Sequence, residues 1–233
     1  MQQRLKFFLA ASILIAGATN SFAVWEWKKG SDGRAVAIAP GARADRGADG
    51  RIVSVPKGWG KERGTDGRLV AIPPDGSAEK GSDNRLIAIP EGWTFDVGSD
   101  GRGVAIPPDG EADYGSDGRM IAIPDGWTTR EGSDGRLVAI PPEGKTTTGP
   151  DGRMIAVPKN WIKKIGKDNR AVAVPPGGDI AIGTDNHATP LPPDNFEYGD
   201  YILYYCVMGA QVETMQEEEA AEKQANGEEE DEM

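Results

Sequence analysis

The chain has 233 residues, a formal net charge of −11, and 32 Gly and 17 Pro beside a single His and a single Cys. One His and one Cys cannot build a histidine-rich metal centre, a four-cysteine zinc site or an internal disulfide framework, so neither a metal nor a cofactor is expected. Ten acids and one Lys fall in Gly209–Met233, leaving the rest nearly balanced. No basic footprint for a phosphate backbone is present, which argues against nucleic acid as a partner.

Taken in chain order, residues 1–23 read as an export signal. Arg4 and Lys6 give a positive start, Phe7 to Ile15 an apolar stretch too short to span a bilayer, and Ser21-Phe22-Ala23 a small-residue cleavage site. The mature chain is expected to begin at Val24 and to be secreted, extracellular or periplasmic, with no transmembrane segment.

Residues 24–194 are a repeat. Gly30, Gly47, Gly64, Gly81, Gly98, Gly115, Gly132, Gly149, Gly166 and Gly183 are spaced by 17 without an insertion. With that Gly as position one, position three is always Asp, from Asp32 to Asp185, and position five is Arg from Arg34 to Arg170, then His187. Positions seven and nine are β-branched in the first nine modules, as in Val70 and Ile72, and position ten is Pro in all but one of those nine. Alternation of period two predicts a strand with its β-branched pair on one buried face. Pro ends the ladder. Upstream, Gly-x-Asp-Gly supplies the positive φ of a tight hairpin turn, with the Asp carboxylate accepting local backbone N–H groups. A second, weaker alternation covers positions fourteen to seventeen, so each module is read as a β-hairpin.

Position thirteen holds Trp25, Trp59, Trp93, Trp127 and Trp161, 34 apart, with Ala42, Gly76, Gly110, Gly144 and Gly178 between them. The preceding Pro-x-Gly-Trp and Pro-Pro-Asp-Gly segments are read as type I turns. The expected architecture is all-β: ten 17-residue hairpin modules forming five 34-residue four-stranded units, in a propeller-like closed ring, with an open β-solenoid or meander as the alternative.

Residues 195–208 form an aromatic segment, Tyr201 to Met208 being the most apolar run of the mature chain, expected as a closing strand. This run or Cys206 could join copies of the chain. Residues 209–233 are an acidic tail, helical in part or disordered.

Signals for catalysis are nearly absent: no nucleophile elbow, no phosphate-binding loop, and His187 standing where other modules carry Arg. The Asp series is read as turn residues rather than calcium ligands, because each module offers one regular Asp followed by Arg, whereas hard cations want six to eight oxygens. The Arg series is read as a solvated ion-pair ladder with those Asp. The five Trp are the candidate ligand-binding residues; they also supply packing area, and both roles hold if one edge of each ring stays exposed. Together these features predict a secreted, non-catalytic module that binds a glycan or another surface ligand, the alternative being a structural or assembly protein of an envelope, matrix or filament.

Overall fold

The computed structural model describes residues 24–194 and Phe196. The export signal, most of the aromatic segment with Cys206, and the acidic tail lie outside the described residues. Within them the chain is all-β: twenty strands of four residues, joined two by two into ten antiparallel sheets. The first hairpin pairs β1 (Glu26–Lys29) with β2 (Ala35–Ile38), and the last pairs β19 (Asp179–Ile182) with β20 (Ala188–Leu191). Register is constant, with position fourteen opposite nine and position seventeen opposite six, as in Glu26↔Ile38 and Lys29↔Ala35.

Two turns set this geometry. In the tip turn the N–H of Gly33 donates to Gly30 O (3.2 Å) and that of Gly30 to Arg34 O (2.9 Å). Position four is left-handed in every module: Gly in seven, and Asn84, Asn169 and Asn186 with φ of 68°, 66° and 66° in three. A turn followed by one left-handed residue matches the right-handed twist of the flanking strands. In all ten modules the Asp at position three accepts the backbone N–H of residue five, at 3.1–3.4 Å.

The connecting turn differs from expectation. Its closing bond runs from position thirteen to position ten, as in Trp59 N–H to Pro56 O (3.2 Å), while position twelve has positive φ even where it is Asp75, Asp109 or Glu143, each at 60°. Type I requires negative φ there. Pro at the second corner followed by a left-handed third is the type II pattern, and it forces a residue that would ordinarily be Gly to accept φ near 60°.

The four-stranded unit is not formed, because strands bond only within their own hairpin. A solenoid or continuous meander would need ladders between modules, so that alternative is set aside too. Successive hairpins meet instead through the side chains of their second strands. A single buried face was expected; both faces of the second strand are buried. Val104 and Ile106 (positions seven and nine) pack on Met120 and Ala122 (six and eight of the next hairpin), and Val138 and Ile140 pack likewise on Met154 and Ala156. Ala139 and Ala156 are fully buried, so Ala at position eight is the small surface that receives the branched residues of its neighbour. Several first strands stay outside this contact, Glu26–Lys29, Gly60–Arg63 and Thr128–Glu131 being exposed throughout, while Ala112 and Ala181 bring two others into it.

The last hairpin meets the first in the same way. Ser31 N–H donates to Gly50 O (3.0 Å), Ala48 to Gly67 O (2.7 Å) and Lys167 to Asn186 O (3.1 Å), each from position two to position four of the next module; Thr184 N–H donates to Gly33 O (2.8 Å). Leu191, at position nine of module ten, packs with Ala37, at position eight of module one. Trp25 completes that cluster, standing to Leu191 and Ala37 as Trp127 stands to Ile123 and Ala139. Position thirteen of module ten is Asn195, so the Trp that precedes module one takes the place of the Trp that module ten lacks. Phe196 packs on the same cluster and meets Trp161 edge to face, centroids 5.7 Å apart.

Trp25 is 8% exposed and Trp27, two residues on, 49%. Trp25→Ala should therefore cost about 3–5 kcal/mol of stability in urea unfolding, whereas Trp27→Ala should stay within about 0.5 kcal/mol. Equal losses would contradict the packing of Trp25 between the first and last hairpins.

Candidate functional site

Ten hairpins expose two kinds of rim, one carrying the Gly-x-Asp-Gly tips and one the Pro-containing connections. At the tips, each Arg pairs through Nε with its own Asp at 3.2–3.8 Å, as in Arg51 with Asp49 (3.3 Å) and Arg153 with Asp151 (3.8 Å). Several also reach the Asp of the preceding module: Arg51 to Asp32 (3.9 Å), Arg136 to Asp117 (3.8 Å) and Arg34 to Asp185 (4.0 Å). The ladder is not solvated, as the sequence suggested. Its Arg side chains are 11–26% exposed, because stacking of the hairpins brings consecutive tips into hydrogen-bonding contact. Burial is the largest influence holding Arg119 and Arg153 below the ordinary guanidinium range, and the neighbouring Arg add to it. Guanidiniums this close to one another are held by the interleaved carboxylates.

Gly at position one follows from the same crowding. A Cβ on Gly115 would stand 2.4 Å from Gly135 O of the next module and 2.7 Å from Asp117 Oδ1, and every position-one Gly meets its own Asp within 2.8 Å. Neither atom can move without opening the junction.

His187 occupies the Arg position of module ten. Its ring faces Arg170 Nη1, Asp168 Oδ2 (3.6 Å) and Asp185 Oδ2 (3.3 Å), continuing the ladder toward Arg34. One hydroxyl is particular to this module, Thr189 Oγ1 donating to Ala35 O (2.6 Å), while Thr184 Oγ1 donates to Gly33 O (3.2 Å) as Ser31 Oγ does to Gly50 O and Ser99 Oγ to Gly118 O. Of the residues that read as repeat degeneracy, Thr189 thus contacts module one, whereas His187 faces module nine and its own Asp185. Among the described residues no group of three or more His, Cys, Asp or Glu is placed to hold a metal.

The five candidate Trp are held apart by the repeat rather than gathered in one pocket. Trp25 is buried and taken up by packing, which removes it from a binding surface; Trp59, Trp93, Trp127 and Trp161 are half-buried. Trp127 covers Ala139 and Trp25 covers Ala37, in each case an Ala of the next hairpin. The Gly that alternate with Trp at position thirteen answer to crowding: a Cβ on Gly76 would lie 2.7 Å from the cross-strand carbonyl of Ile89 and 2.9 Å from Pro73.

Two clefts open on the connecting-turn rim at equivalent positions. One, of about 360 Å³, is lined by Gly41 and Arg43 of one connection and Pro56, Lys57 and Gly58 of the next. The other, of about 150 Å³, is lined by Asp109 and Glu111, then by Ile123, Pro124, Asp125, Gly126 and Trp127. Both lie between a module without Trp and a module with Trp, and in the second Trp127 itself lines the cleft. Position fourteen was legible as variable. The charged corner residues Lys57 and Asp125 were missed, although their signal was present: a changing charge between a Pro and a left-handed Gly or Asn.

Beside the larger cleft, Asp45 Oδ2 accepts from Lys61 Nζ (2.7 Å) and lies 3.9 Å from Arg43. The hydrogen bond from Lys61 is the main cause that holds the Asp45 carboxyl below its ordinary range. Asp45 is thereby neutralised on the outer strands, and the cleft itself keeps the charges of Arg43 and Lys57.

Comparison with known proteins returned no match: no protein family fits the chain, and no curated protein or solved structure is similar to it. Function must therefore be argued from the site, which is in any case where it resides.

Two outcomes test this electrostatic account. Asp117→Ala removes the turn bond to Arg119 and the ion pairs to Arg119 and Arg136; it should cost about 2 kcal/mol in urea unfolding, a half-buried pair broken on one side. In carbon-detected titrations, Lys61→Ala should raise the Asp45 midpoint toward the ordinary Asp value near 3.9. Because the folded-state value is lowered, the Lys61 contact contributes stability above the unfolded-state value, and this is lost as pH falls through the lowered one.

Proposed function

We propose that the ten hairpins form a closed, propeller-like ring that acts outside the cytoplasm as a non-catalytic binding module for a glycan. The bonds from Thr184 to Gly33 and the placement of Trp25 between Leu191 and Ala37 support closure, since they repeat at the chain ends what joins neighbouring modules elsewhere.

One observation carries the binding role. On the tip rim positions one and three are constant, and positions four and five nearly so, because the junctions need them, while position two varies; on the connecting-turn rim the left-handed corner is kept while the residues lining equivalent clefts change from Arg43 and Lys57 to Asp109, Glu111 and Asp125. Variation concentrated around clefts of a rigid repeat is how such scaffolds build binding faces. The half-exposed rings of Trp59, Trp93, Trp127 and Trp161 offer apolar faces for sugar rings at that rim. No catalytic step is assigned: the carboxylates at the tips recur in one environment, whereas acid–base work needs two that differ.

Intrinsic tryptophan fluorescence, titrated with a panel of neutral and acidic polysaccharides, tests the reading. A saturable change with at least one polysaccharide is expected, reduced in Trp127→Phe for a ligand that reaches its cleft. Silence across the whole panel removes the glycan role.

A further inference from the structure

Resting on that glycan reading, we infer that the cleft between modules one and two is a subsite for a carboxylate-bearing sugar, a hexuronate unit of an acidic polysaccharide. The two clefts share a backbone plan but not a size or a sign. At about 360 Å³ the first falls within the range of small-molecule sites, whose lower limit is about 300 Å³, and the second, at about 150 Å³, falls well below it.

The difference has an identifiable origin. Gly41 stands in the first cleft where Asp109 stands in the second, and a Cβ on Gly41 or Gly58 would meet nothing within 4 Å, so both Gly walls are open. Sign differs as well. Arg43 comes from the strand start of one module and Lys57 from the corner of the next connection, so two cations approach from separate hairpins. Their counterparts in the small cleft are Glu111 and Asp125.

Asp45 does not cancel the pair, being bonded to Lys61 at 2.7 Å, and among the described residues Lys57 has no ion-pair partner. A planar carboxylate suits this arrangement: Arg43 can take both oxygens side by side and Lys57 adds a point charge from the other wall. The ring of Pro56 supplies an apolar wall between them, against which the C–H face of a pyranose can lie. Arg43 has a side chain 67% exposed, so it is available without rearrangement.

The repeat provides its own control. Arg43→Glu with Lys57→Asp installs the residues that the equivalent cleft already carries at these positions, so the double variant is compatible with the fold. Trigalacturonic acid is the probe and galactotriose its neutral counterpart, both measured by calorimetry on the mature chain. The acidic trimer should bind at least tenfold tighter than the neutral one at low salt, lose that advantage as salt screens the cations, and weaken at least tenfold in the double variant. Lys80→Gln with Lys163→Gln, which removes exposed cations outside both clefts, should leave its affinity unchanged.

Equal affinity for both trimers, an undiminished double variant, or sodium acetate competing as well as the trimer would overturn the subsite while leaving the glycan reading in place. If neither trimer binds and the polysaccharide panel is silent, both fall. If only the panel responds, the subsite alone is lost.

Discussion

Everything in this molecule depends on an unequal packing between neighbouring hairpins, branched side chains of one pressed onto the alanines of the next. A two-stranded hairpin of four-residue strands is not stable in water by itself, since it has no second layer to cover its apolar face. Here the second layer is another hairpin. Val138 on Ala156 shows the contact at its tightest, with exposures of 3% and 0%. Branched residues on both sides would hold the strands apart, and alanines on both sides would leave a gap. Only the unequal pair lets second strands approach closely enough for the tips to exchange backbone bonds. The arrangement is directional, each hairpin offering a branched face forward and a small face backward, so it can be extended but not completed until the last forward face finds the first backward one.

That requirement explains residues at the chain ends that look irregular. Module ten departs from the template at His187, Thr189 and Pro190; His187 extends the tip ladder to module nine and Thr189 donates to module one. Thr189 replaces a β-branched aliphatic by one of similar shape that also donates to a backbone carbonyl of the first hairpin. Trp25 precedes the first hairpin in sequence yet fills the slot next to the last. Covering both ends by mutual contact achieves what separate caps achieve in open arrays, where terminal apolar faces must be shielded from water.

The legible part of the fold was the part written in local chemistry. Gly-x-Asp-Gly with Asn in place of the last Gly identifies a left-handed turn position from three residues, and the hairpin register follows from it. What was not legible came from between modules. Period-two alternation assigns Val and Ile to one face and Ala to the other, and an Ala face reads as neutral; only the neighbouring hairpin reveals that Ala139 and Ala156 are as buried as Val55 and Val174. The type II turn was hidden because Asp75 and Glu143 accept a φ for which their side chains give no sign. For the site, Trp at intervals of 34 drew attention to the largest rings, whereas the cleft linings depend on Lys57 and Asp125, ordinary charged corner residues until two connections are placed side by side.

The two rims are therefore unequal in what they can do. Tip residues are fixed three times over, by the Cβ crowding at position one, the carboxylate bonded to the backbone at position three, and the guanidinium shared between modules at position five. Connecting turns are fixed only by Pro and a left-handed corner, which leaves position fourteen, and position eleven where it is not Pro, open to either charge. Opposite charges at equivalent clefts have a consequence for how a ligand would be held. Five copies of one acidic unit cannot be bound equally, because a cleft lined by Asp109, Glu111 and Asp125 repels what Arg43 and Lys57 attract. Gains from multivalency require several sites that accept the same group within reach of one another. Under the proposed glycan reading, two clefts of opposite charge would hold an acidic polymer at the one that accepts it, and selectivity would come from the cleft that refuses it as much as from the one that accepts.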